Sequence, residues 1–143
     1  MTPSRILPDL QCSLLCEEVR QEMNGNFLLL GVFHHVRVPQ IPITAPKICV
    51  FNRWTAGFGQ FVEAIRLIAP DQVTVLRKHE TKIALQDATQ HHINVTYMTG
   101  VKFEIAGPHY IEVLVDDVMK LRYPLVIHHV PPPAESAPGE AKK

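Results

Sequence analysis

Net charge is the first thing this chain lacks: 14 Lys and Arg residues balance 14 Asp and Glu. A neutral chain without a basic stripe exerts no long-range pull on phosphate backbones or anionic lipid, which argues against nucleic-acid and membrane partners. Cysteine is scarce as well. Cys12, Cys16 and Cys49 are odd in number and form no CxxC pair, poor material for a disulfide framework or a structural zinc site. Cys12 and Cys16 would be neighbours on a helix, but on a strand they lie about 13 Å apart and cannot bond to each other. They read as reduced thiols in a core. Long apolar runs are also missing. No stretch approaches the roughly 18 residues of a membrane-crossing helix, and residues 1–9, with Pro3 and Pro8, hold no apolar signal core. These absences predict a soluble, cytoplasmic chain. No GxSxG, phosphate-cradling glycine loop or HExxH is present, and no serine or cysteine has an identifiable base, so the sequence assigns no catalytic residue and no cofactor.

What the chain does have is alternation. With 143 residues, 46% of them hydrophobic, it fits one domain able to bury a core without crosslinks. Leu10, Cys12, Leu14 and Cys16 share one parity, and Asn24-Gly25 then predicts a hairpin whose two turn residues both take positive φ. Residues 27–33 form the returning strand. A competing pattern places Leu15, Val19 and Met23 on one face of a helix ended by Gly25. Pro39, Pro42 and Pro46 predict an irregular connection, followed by strands over residues 48–54 and 61–69. The charged stretch between residues 73–77 and 83–85 fits either a turn or the solvent-facing middle of one long strand. Ile93, Val95 and Tyr97 alternate with polar neighbours, as do Val101, Phe103 and Ile105, and Gly100 between them predicts a bulge or turn. Residues 109–115, an Asp116-Asp117 turn and residues 119–130 complete the pattern.

About eight short strands with regular turn signals and no convincing amphipathic helix predict an all-β fold, a two-layer β-sandwich of the immunoglobulin-like or C2-like kind. The proline-rich crossing suits a connection between two sheets better than an up-and-down barrel. Gly107-Pro108-His109-Tyr110 adds a candidate tyrosine corner. The organisation is an extension over residues 1–9, a sandwich over 10–130 and a disordered, Pro-rich tail over 131–143, which has no large apolar side chain to bury.

Six of the eight histidines come in pairs, His34-His35, His91-His92 and His128-His129. Adjacent strand residues point to opposite faces, so one member of each pair would converge into a metal site if the three strands were neighbours. Otherwise the pairs are ordinary polar residues at strand ends. Arg53 and Trp54 beside the glycine-containing turn at 57–59 have the composition of a contact surface, against the alternative of a tryptophan packed between sheets. Asp116 and Asp117 are turn formers before they are paired carboxylates.

Residues 15–22, Asn24-Gly25-Asn26 through Leu30-Gly31-Val32-Phe33, and Gly107-Pro108-His109-Tyr110-Ile111-Glu112-Val113 resemble a family of small bacterial proteins catalogued as a domain of unknown function. The resemblance spans most of residues 10–130. It implies a bacterial source and an all-β sandwich, favours the hairpin over the helix, and carries no activity. The expectation is a non-enzymatic domain acting through protein contact or self-association at an exposed sheet edge or face. The alternative is a small metal- or ligand-binding protein built on the paired histidines.

Overall fold

The computed structural model describes residues 5–132. Among them are nine strands: β1 (Asp9–Gln21), β2 (Phe27–Phe33), β3 (His35–Val38), β4 (Ile43–Thr55), β5 (Gly59–Ile68), β6 (Val75–Leu85), β7 (His91–Phe103), β8 (Gly107–Val115) and β9 (Val118–His129). No helix in the described residues is long and apolar enough to cross a membrane. The strands build a four-stranded sheet, β2-β1-β4-β7, and a five-stranded sheet, β3-β9-β8-β5-β6. All pairings are antiparallel except that of β3 with β9. This is the expected all-β, two-layer arrangement, with one strand more than the eight read from the sequence. The addition is β3, a four-residue strand beside β9 that the proline count obscured.

Alternation explains the main core. Ile48, Val50 and Trp54 of β4 meet Phe61, Ile65 and Leu67 of β5 and Ile111, Val113 and Val115 of β8, all buried between the sheets. Residues 9–21 form a strand because β2 and β4 pair with it from both sides, which the helical reading cannot accommodate. The hairpin closes where Asn24-Gly25 predicts, but with a wider turn. Gly25 N–H donates to Glu22 C=O, Glu22 N–H donates to Asn26 C=O, and Gly25 alone takes positive φ, so three residues rather than two make the loop. The two-residue turn with both central φ positive occurs instead at Asp116 and Asp117, at 47° and 66°.

Other expectations are corrected by the pairing. Residues 39–42 are irregular, but Pro46 lies inside β4, opposite Gly100 of β7. At that point both strands skip one residue of their alternation: Ala45 and Ile48 face the core on one, Val101 and Met98 on the other. The register is unchanged across the skip, Ala45 opposing Val101 and Lys47 opposing Thr99. Gly100, at φ 61°, permits the kink, and Arg77 of β6 donates to the Thr99 and Gly100 carbonyls there. A residue without N–H is tolerated in a strand where the ladder is irregular in this way. Residues 75–85 run as one continuous strand. Tyr110 is no corner: it lies within β8 opposite Pro124, its ring 4.3 Å beneath the Arg122 guanidinium carbon.

A second kink pairs Glu17 with Gly31, whose φ is 67°. Beyond it the hairpin tip turns back over the outward face of its own sheet, and Val19, Phe27 and Leu29 pack against Cys16, Cys49, Phe51, Ile93 and Val95. Phe27 and Phe51 meet edge to face, ring centroids 5.7 Å apart. The described part of the N-terminal extension is docked, Ile6 bridging Phe58 and Arg5 pairing with Asp116. The tail expected over residues 131–143 lies outside the described residues except for Pro131 and Pro132.

Candidate functional site

The strand order leaves β2 and β7 as edges of one sheet, β3 and β6 as edges of the other. β3 is four residues long, and β6 carries Arg77, Lys78, Glu80 and Lys82, both of which discourage pairing with another chain. β2 has neither protection. Its sequence, Phe-Leu-Leu-Leu-Gly-Val-Phe, contains no charged residue, and Leu28, Leu30 and Val32 are 44%, 41% and 53% exposed. It lies at the sheet edge because β1 alone hydrogen-bonds it; Phe27 and Leu29 pack into the small outward cluster and Phe33 against the main core.

Towards the other side of the sandwich, against β4 and β7, Glu63 organises a polar layer between the sheets. It is 1% exposed, and its carboxylate accepts from Asn52 Nδ2 at 2.9 Å, Trp54 Nε1 at 2.6 Å and Asn94 Nδ2 at 3.1 Å. His92 extends the layer: Nε2 lies 3.2 Å from Asn94 Oδ1, and Nδ1 lies 3.3 Å from the Ala84 carbonyl. Ser13 Oγ and Tyr123 Oη, 2.8 Å apart, add a further bond between the sheets. Among the described residues, Asn52 Oδ1 is the buried side-chain polar atom without a protein hydrogen-bond partner. The sequence reading missed Glu63, although it shares the parity of Phe61, Ile65 and Leu67; a carboxylate in that apolar row was the available signal.

Trp54 is completely buried, while Arg53 points to the opposite face and donates through Nε to Gln11 Oε1 at 2.7 Å. The two therefore form no common surface, because neighbouring strand residues point apart. Of the paired histidines, β3 and β9 bring together His34, His35 and His128. His34 stacks on His35 at 4.6 Å and His128 meets His35 edge-on at 5.4 Å. Burial, helped by His34, Arg37 and His128, pushes the His35 imidazole below its ordinary range. His91 and His92 begin β7 in the other sheet, and His129 opposes Val38. Stacked rings present faces rather than nitrogens to one another. No group of three His, Cys, Asp or Glu among the described residues is placed to hold a metal ion. His35 does line a cleft of about 430 Å³ between β3 and β4, walled by Phe33, Val36, Ile43 and Phe103.

Cys16 and Cys49 are the remaining chemistry. They oppose each other directly on β1 and β4, and both are fully buried beneath the hairpin tip. Burial pushes both thiols up, and in Cys16 the neighbouring Cys49 adds to the effect.

Two antiparallel-rich sheets closed around a carboxylate-centred polar layer, with an uncharged apolar edge strand in β2, define an all-β sandwich. A family model described as "Family of unknown function (DUF6941)" matches residues 11–128, and the chain belongs to that family. No curated protein matches the chain.

Proposed function

We propose that the domain is a non-enzymatic assembly module in which β2 pairs antiparallel with β2 of a second copy. The carrying observation is the contrast between edges: β2 is uncharged with Leu28, Leu30 and Val32 exposed, whereas β6 is studded with charge. An open edge of this kind gains backbone hydrogen bonds and apolar contact together on strand addition. The segment is also close to a palindrome about Leu30, Phe27 answering Phe33 and Leu28 answering Val32. Two-fold antiparallel approach brings no charged side chain against another anywhere along the strand, as a closed dimer requires.

Native mass spectrometry and sedimentation across the micromolar range test this reading. The expected result is a dimer for the wild type and a monomer for Leu30→Lys, which puts a charge at the centre of the edge while leaving thermal unfolding of the monomer unchanged. Concentration-dependent hydrogen-exchange protection of the β2 amides is the second readout. A wild-type monomer throughout overturns the proposal. A stoichiometric added mass on that monomer would move attention to the cleft beside His35.

A further inference from the structure

We propose that Cys16 and Cys49 form a reversible cross-strand disulfide beneath the hairpin tip. Directly opposed residues of an antiparallel pair have Cα atoms about 4.5–5.5 Å apart, inside the roughly 4.4–6.8 Å window of disulfides. The β1–β4 register places Cys16 opposite Cys49 in that relation. Both side chains lie on the outward face of the sheet, in the cluster capped by Val19, Phe27 and Leu29. Cys12 shares the cluster but opposes Arg53, four residues further along, or about 13 Å from the pair at strand spacing. The geometry thus selects one link of the three that three thiols allow. The ladder already holds the two cysteines at a Cα separation that a disulfide can span.

The tip controls access. Covered thiols that burial keeps protonated are slow nucleophiles, so reaction requires the tip to lift and admit the oxidant. With a small-molecule disulfide such as oxidised glutathione, one cysteine loses its proton and its thiolate attacks a glutathione sulfur. A mixed disulfide forms and one glutathione leaves as thiol. The second cysteine, also deprotonated, then displaces the remaining glutathione. Two protein S–H bonds and one glutathione S–S bond become one protein S–S bond and two glutathione S–H bonds. The protein is oxidised by two electrons and glutathione is reduced by two.

The test is incubation with oxidised glutathione, acid quench, alkylation under denaturing conditions, and peptide mapping without reductant. The expected product carries one alkylated thiol, Cys12, and one linked peptide pair, Cys16–Cys49, with dithiothreitol restoring three alkylatable thiols. Cys49→Ser should abolish the link and leave Cys16 as a glutathione adduct. Phe27→Ala should accelerate closure about tenfold, the factor that ~1.4 kcal/mol of lost tip packing would produce. Three free thiols after prolonged oxidation of both wild type and Phe27→Ala overturn the proposal. So does a link through Cys12.

Discussion

The space between the sheets and the pocket under the hairpin tip are both closed by apolar side chains, yet they are fastened differently. Between the sheets, Glu63 ties Asn52, Trp54 and Asn94 together, and Ser13 meets Tyr123. Under the tip, the buried residues are Cys16, Val19, Cys49 and Phe51, held by packing and by one weak thiol contact from Cys49 to the Glu17 carbonyl at 3.5 Å. Buried polar groups leave little freedom, since displacing one layer against the other orphans a donor or a carboxylate in a low-dielectric interior. Apolar contacts are non-directional and can part locally at modest cost. The main core therefore fixes how the sheets sit on each other. The outward cluster, fastened chiefly by packing, is the part expected to open locally, which is also the motion the cysteine pair requires.

The largest effect that sharpens this contrast is expected from Trp54→Ala. Removing a fully buried tryptophan costs about 4 kcal/mol in cavity and transfer terms, and it also strips a donor from Glu63. Denaturant unfolding should show a single, strongly destabilised transition involving the whole molecule. A variant as stable as wild type would mean the polar layer does not hold the sheets together.

Tyr123 gives the next effect. Burial, opposed by its bond to Ser13, raises its phenol from 10.0 to about 12. A raised acid keeps its proton longer in the folded state than in the unfolded chain. Its contribution is thus complete below pH 10 and is lost as pH climbs from 10 towards 12, a total of roughly 3 kcal/mol. Denaturant midpoints taken through this range should fall more steeply for wild type than for Tyr123→Phe. Parallel curves would refute the assignment.

The smallest effect belongs to the cover. Phe27 is half-buried, so Phe27→Ala should cost about 2 kcal/mol or less and act locally. Hydrogen exchange should quicken over residues 19–29 while the amides of β5 and β8 keep their protection. Equal acceleration everywhere would break the comparison, making tip and sandwich one cooperative unit.

Much of the architecture was readable because it is local. Alternation at Ile93, Val95 and Tyr97 identifies a strand whatever lies beside it, and Asp116-Asp117 marks a turn because few residue pairs accept positive φ in succession. The turn at Asn24-Gly25 was located but mistyped, since Gly25 alone adopts the left-handed conformation. Pro46 misled because its tolerance depends on Gly100, a residue of another strand. The histidine pairs were visible as composition, whereas their positions were not: His34, His35 and His128 meet only because β3 runs parallel to β9.

By itself, then, the sequence determined the secondary structure, most turns and the two-layer class, all consequences of which neighbours within a few residues are apolar or conformationally permissive. Tertiary structure alone decided that β2 is an edge, that Glu63 sits beneath Trp54, and that Cys16 faces Cys49. Those outcomes depend on strand order and register, which are set by hydrogen bonding and packing between segments far apart in the chain and leave no mark in any one of them.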